Sequence, residues 1–297
     1  MELAVMHMSG AYLAQNFYRE PLGCPDGAGQ GAESRSASDG KTPGTESRGA
    51  EIGNVGIREI DCRDIEGTRS YCDDRAKERL RERIADAPFS GIHFLDSGNY
   101  HYLSLLWLEK ITEPFSLVLV DHHPDMQRPA FGDITSCGGW VREALLTHLC
   151  LERVYVAGVE PELLEQEGIL TGVTVSGEKA DFPVERVHVG LSGLWERGGS
   201  GEEHRRPVYL SIDKDALRRQ DARCDWDQGE MSMEELFGLL DQIAGHCRIL
   251  GADVCGENPD DESGENPDDE SGEDAEVNNR TNRRLAEKLL DCMSASW

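Results

Sequence analysis

Phe115-Ser116-Leu117-Val118-Leu119-Val120 runs directly into Asp121-His122-His123-Pro124-Asp125, and far downstream Val208-Tyr209-Leu210 leads through Ser211-Ile212 to Asp213-Lys214-Asp215. Each stretch reads as a short strand, rich in leucine and β-branched residues, that ends in acidic residues spaced two apart. Side chains alternate across a strand, so Asp121, His123 and Asp125 are expected to point to one side, as are Asp213 and Asp215. Two carboxylates about 4 Å apart repel by roughly 4 kcal/mol at an effective dielectric near 20. Four of them gathered with an imidazole take up protons or recruit a cation. Two divalent ions balance four carboxylates, and mixed carboxylate and imidazole ligation suits manganese, zinc or iron. Alone, either motif also fits a polar strand end followed by a helix cap. The second acidic pair at a second strand end shifts the reading towards metal.

Working outward, further strands are expected at residues 3–7, 56–60, 91–95, 153–157, 186–189 and 248–253. Helical patterns lie between them. Asp73 caps one through residue 85, residues 100–110 and 139–148 carry apolar side chains at helical spacing, and Ser232-Met233-Glu234-Glu235 is a capping box opening another. A last helix is expected over about residues 282–291. Strands alternating with helices, several of them continuously apolar, indicate an α/β chain: a three-layer αβα arrangement with a mostly parallel sheet covered on both faces. Ligands of such sheets bind beyond the carboxyl ends of the strands. Both acidic motifs lie there, and so does His101, after the turn Asp96-Ser97-Gly98-Asn99.

The chain has 297 residues and 38% hydrophobic content, low for a globular protein, but the deficit is local. Residues 25–52 hold Gly, Ser, Ala and charge with almost nothing to bury, and read as a low-complexity flexible insertion. Residues 256–279 read as an acidic, disordered loop, because Gly-Glu-Asn-Pro-Asp-Asp-Glu-Ser at 256–263 recurs unchanged at 264–271. The remainder of 1–297 reads as a single domain. A net charge of −27 argues against nucleic acid or an anionic membrane as partner. No apolar stretch approaches the ~20 residues a membrane span needs, and Met1 to His7 lacks the pattern of a signal peptide. Nine cysteines without CxxC spacing suit a reducing, cytoplasmic setting.

The three rim segments resemble the ureohydrolase family of arginases, agmatinases and formimidoylglutamases, which shares its fold with metal-dependent deacetylases. The family pattern is Gly-Gly-Asp-His-Ser, then Asp-x-His-x-Asp, then Ser-x-Asp-x-Asp, each after a strand. Ser97 to His101, Asp121 to Asp125 and Ser211 to Asp215 stand for these in order, and Gly251-Ala252-Asp253 with Asn258-Pro259 resembles the closing stretch. The resemblance implies two divalent metal ions, usually Mn2+. Asp121 and Asp213 would bridge them, His101 and Asp125 would complete one shell, and His123 and Asp215 the other. A metal-bridging hydroxide would attack the C–N carbon of a small guanidino, amidino or formimino compound, oriented by Asp125.

The sequence departs from that pattern at three places. Ser136-Cys137-Gly138-Gly139 stands where the family has His-Gly, so Cys137 replaces a histidine implicated in proton transfer, as a catalytic thiol or as a buried structural one. Arg218-Arg219 stands near the family's Asp-Pro. The guanidinium-holding glutamate aligns with Gly256, leaving Glu257, one residue away, as the candidate substitute. The expected partner is a small-molecule substrate, with homo-oligomers common among relatives. Two other readings stay open: a phosphoesterase of the DHH type using Asp121-His122-His123 with Asp61, Asp64 and Asp96, and a metal-binding family member without catalysis.

Overall fold

Apolar strand runs flanked by amphipathic helices can bury their side chains only by stacking into layers. The computed structural model describes residues 1–19, 22, 55–129, 131–195, 205–259 and 271–296. Its strands are β1 (Glu2–His7), β2 (Gly56–Asp61), β3 (Tyr71–Cys72), β4 (Ile92–Phe94), β5 (Phe115–Val120), β6 (Thr135–Ser136), β7 (Leu151–Ala157), β8 (Val187–Val189), β9 (Arg206–Asp213) and β10 (Cys247–Cys255). Eight of them form one sheet in the order β2-β1-β4-β10-β9-β5-β7-β8, with every neighbouring pair parallel. The strands bearing the two acidic motifs, β5 and β9, are adjacent at the centre, with Val120 opposite Ile212. The motifs 90 residues apart in sequence therefore emerge side by side.

The helices are α1 (Asp74–Ile84), α2 (Leu103–Leu108), α3 (Trp140–Thr147), α4 (Pro161–Gln166), α5 (Met233–His246) and α6 (Ser271–Ser296). Leu117 and Leu119 of β5 join one buried cluster with Leu80, Leu106, Trp107 and Trp140 from α1, α2 and α3. Val118 and Val120 face the other way, into a cluster with Leu236, Leu240, Leu285 and Leu289 from α5 and α6. Each such buried leucine contributes about 1.5–3 kcal/mol. The period of two in β5 thus divides the core into two layers. The caps read from sequence are present: Asp73 accepts the Ala76 N–H at 2.8 Å, and Ser232 and Glu235 bond reciprocally. Among the described residues no helix is long and apolar enough to cross a membrane.

Several boundaries differ from the sequence reading. The last helix begins at Ser271 rather than near 282, so residues 271–279 of the acidic stretch are helical. Glu273 and Asp274 in its first turn face the positive end of the helix dipole, Arg223 pairs with Asp274 at 2.9 Å, and Asn278 bonds the Arg223 backbone. The low-complexity stretch 25–52 and residues 260–270 lie outside the described residues. The helix expected over 100–110 is split into a 3₁₀ turn, Gly98–Tyr100, followed by α2. β3 and β6 pair antiparallel, with Tyr71 opposite Ser136, and lie apart from the main sheet.

Candidate metal centre

β5 ends at Val120, so strand alternation does not aim the three side chains of the first motif. A turn does. Asp125 has φ +50°, in the left-handed region that disfavours non-glycine residues. That conformation is held by the Asp125 carbonyl, which accepts from Val141 N–H at 3.0 Å, and by the Trp140 indole N–H, which donates to Asp125 Oδ2 at 2.7 Å. In the second motif Asp213 is still in β9, while Asp215 sits in a 3₁₀ turn whose N–H donates to Asp213 Oδ1 at 2.9 Å. His101 follows the turn Gly98–Tyr100.

These three segments bring all six sequence-predicted donors together. His101 Nδ1 lies 2.9 Å from Asp125 Oδ2, 3.2 Å from Asp121 Oδ2 and 3.6 Å from Asp213 Oδ2. His123 Nδ1 lies 2.9 Å from Asp215 Oδ2 and 3.6 Å from Asp121 Oδ1. Two groups, His101 with Asp121 and Asp125, and Asp121 with His123 and Asp215, each have ligand atoms within 4.8 Å of one another. Asp121 belongs to both. Backbone N–H groups fix the carboxylates further: His123 N donates to Asp121 Oδ1 at 2.6 Å and His122 N to Asp215 Oδ1 at 3.0 Å.

Electrostatics test whether a cation fits. Burial raises the pKa of Asp121, Asp125 and Asp213, and raises that of Asp215 to about 7, with neighbouring carboxylates adding to each rise. For His123 burial works against the charged form, but its hydrogen bonds to the Asp121 and Asp215 carboxylates prevail and carry it to about 11. Positive charge is demanded by this cleft. Asp121 Oδ2 is buried and makes no hydrogen bond of regular geometry, its nearest polar neighbour being His101 Nδ1 at 3.2 Å, a costly position for a carboxylate oxygen. The relay behind His101 points the same way. Ser211 Oγ donates to Asp253 Oδ1 at 2.7 Å, so it accepts from His101 Nε2–H at 2.9 Å, and Nδ1 faces three carboxylates. Burial opposes charge on this imidazole, but Cys255 and hydrogen bonds to Asp121 and Asp125 raise its pKa well above the ordinary value. Nδ1 therefore carries a proton or a metal, and an imidazole anchored through its other nitrogen is the usual arrangement of a ligand histidine. The His and Asp groups could hold metal ions.

The structure also separates candidates. Cys137 lines the cleft beside the donors, but burial and the Asp125 charge push its pKa to about 12, so it is a thiol at neutral pH. Glu257 does not reach the cleft, contrary to expectation. It is 1% exposed and turned inward, paired with Lys214, accepting from Gln15 Nε2 at 2.7 Å and from Asn282 Nδ2 at 2.7 Å. Nor can a side chain at Gly256 replace it: φ is +94°, and a Cβ would lie 2.5 Å from Asp213 Oδ1. The phosphoesterase reading loses its ligands, since Asp61 and Asp64 pair with Arg63, Arg79 and Arg83 at the surface. Asp96 is spent on the Met8 and Ser9 N–H groups at 3.0 Å each. Sequence reasoning gave no role to Ser211 and Cys255. Cys255 Sγ donates to Asp213 Oδ2 at 3.0 Å and forms a third compact group with His101 and Asp213. Each lies two residues along its strand from a buried aspartate, Ser211 before Asp213 and Cys255 after Asp253, and the period of two carries that signal.

No family model matches the sequence. An uncharacterized protein of Thermotoga maritima is 37% identical over 168 residues, 56% of this chain and 58% of that protein, so the match spans less than two thirds of the relative. Solved structures match over most of the chain. A formiminoglutamase of Trypanosoma cruzi, solved with Mn2+, has a TM-score of 0.57 at 11% identity, covering 99% of this chain and 92% of that one. Proclavaminate amidino hydrolase of Streptomyces clavuligerus gives 0.56 at 15% identity, covering 83% and 78%. An arginase of Bacillus cereus gives 0.52 at 14% identity, covering 99% and 97%. The chain has the arginase fold, that of the arginase, agmatinase and formimidoylglutamase structures, with buried His and Asp clusters placed to hold metal.

Proposed function

We propose that this protein is a binuclear metal-dependent hydrolase that cleaves a C–N bond of a small guanidino, amidino or formimino compound. The observation that carries the reading is Asp121: a buried carboxylate shared by two His/Asp groups at the carboxyl ends of the central strands. His101, Asp125, Asp121 and Asp213 would hold one divalent ion, and Asp121, Asp213, His123 and Asp215 the other, with Mn2+ the ion seen in a protein of the same fold. When bound, the ions supply a Lewis-acidic pair that activates water and stabilises charge on the reacting carbon's substituents. Asp125, its carboxylate fixed by the Trp140 indole, would orient an attacking water and accept its proton. His101 is kept in one tautomer by Ser211, and Cys137 stands at the cleft wall as a protonated thiol able to give a proton to the departing nitrogen.

The test is release of ammonia or urea from a panel of guanidines, amidines and formimino compounds by Mn2+-loaded protein. Turnover that Asp125→Asn lowers by about 10²-fold or more supports the reading. A fully loaded protein inert to the whole panel favours the metal-binding, non-catalytic alternative.

A further inference from the structure

The walls of the cleft bear on what the substrate carries beyond its reacting carbon, an inference that rests on the hydrolase reading above. Apart from the six donors and two glycines, the lining consists of Ser70, Tyr71, Gln127, Ser136, Cys137 and Trp226. None of these carries a charge at neutral pH. With two divalent ions bound, the four carboxylates are balanced, so the centre offers no surplus charge to a distant group. Glu257, the residue expected to hold a guanidinium, is committed to Lys214, and position 256 has no room for a side chain.

What the walls do offer is aromatic surface. The β3–β6 pair places Tyr71 opposite Ser136 at the cleft, and the Tyr71 ring meets Phe131 at 5.4 Å between centroids. From the segment between β9 and α5, Trp226 reaches over Gly98 and sets its indole edge-on to His123 at 6.0 Å. Tyr71, Trp226 and Phe131 are 39%, 43% and 60% exposed, large rings left in water beside a deep polar site. Flat apolar groups gain by covering such rings, and beyond the six donors no charged side chain lines the cleft to fix a charged tail.

We propose that the substrate carries an uncharged aromatic or similarly flat substituent on its C–N group, seated against Tyr71 and Trp226, in place of a charged alkylammonium or amino-acid tail. The experiment is isothermal titration of Mn2+-loaded full-length protein with benzamidine and with agmatine, a guanidine bearing an ammonium tail. Wild type, Tyr71→Ala and Trp226→Ala are compared, with metal content measured on each. Benzamidine is expected to bind about tenfold tighter than agmatine, and loss of either ring to weaken benzamidine roughly three- to tenfold with metal content and agmatine affinity unchanged. Agmatine binding as tightly as benzamidine, absent benzamidine binding, or unaltered benzamidine affinity in both variants overturns the inference. With two ions bound and turnover of a tailed guanidine, such a result leaves the hydrolase reading standing. A wild type that takes up no divalent metal removes that reading, and this inference with it.

Discussion

Replacing Lys214 by Met tests whether Glu257 is a structural counter-ion or a substrate ligand. The Lys214 and Glu257 side chains are 0% and 1% exposed and form a direct ion pair. Gln15 and Asn282 complete the cluster: Asn282 Oδ1 accepts from Lys214 Nζ at 3.0 Å, and Asn282 Nδ2 donates to Gln15 Oε1 at 2.8 Å. This cluster joins the segment after β1, the ends of β9 and β10, and α6. Removing one partner of a buried pair costs about 3–5 kcal/mol, because the remaining charge stays out of water. In Lys214→Met the carboxylate keeps two amide donors, which places the loss near 3 kcal/mol. That is a large share of the 5–15 kcal/mol typical of a whole protein. Lys214→Met combined with Glu257→Gln leaves no orphaned charge and should recover about 2 kcal/mol of the loss. Urea unfolding of wild type, both single variants and the double variant measures the coupling, and the double remains measurable if a single variant fails to fold. A loss below about 1 kcal/mol for Lys214→Met, or a double variant no more stable than either single, would refute the assignment.

Two further perturbations probe the sheet and the centre. His93 stacks on Trp107 at 3.7 Å, donates from Nε2 to the Pro88 carbonyl at 3.0 Å and accepts from the Tyr209 hydroxyl at 3.0 Å. Burial lowers its pKa to about 3, so it is neutral in the native state while the unfolded chain protonates it below about 6.5. Its contribution is therefore intact above pH 6.5 and is lost as pH falls towards 3. Between pH 7 and 5 wild type should lose about 2 kcal/mol more than His93→Phe in denaturant titrations, and equal acid sensitivity would contradict this. Ser211→Ala removes the acceptor that fixes His101, and should weaken metal binding about 10- to 100-fold in chelator competition with the secondary structure retained. Unchanged affinity would show that the relay does not position His101.

The parallel sheet was legible because its strands are long apolar runs whose ends coincide with chemistry-bearing residues, and β5 and β9 lie where that pattern places them. The convergence of donors was legible too, but for a different reason than alternation. The turn at Asp125, with its positive φ, and the 3₁₀ turn at Asp215 do the aiming, and neither has a period to read. β3 and β6 are two residues each, too short to show a pattern, yet they build the wall that carries Tyr71. Glu257 misled because position in sequence says nothing of a buried lysine at the end of the neighbouring strand β9, and Lys214 claims it. The start of α6 was hidden in acidic residues that read as solvated loop, although acids suit the first turn of a helix.

The most direct measurement is elemental analysis of the full-length protein after Mn2+ loading and removal of free metal, alongside His101→Ala and His123→Ala. Wild type should hold about two ions per chain and each variant about one or fewer, since each histidine belongs to a different Asp121-sharing group. Wild type holding no divalent ion, or variants that retain the full complement, would contradict it.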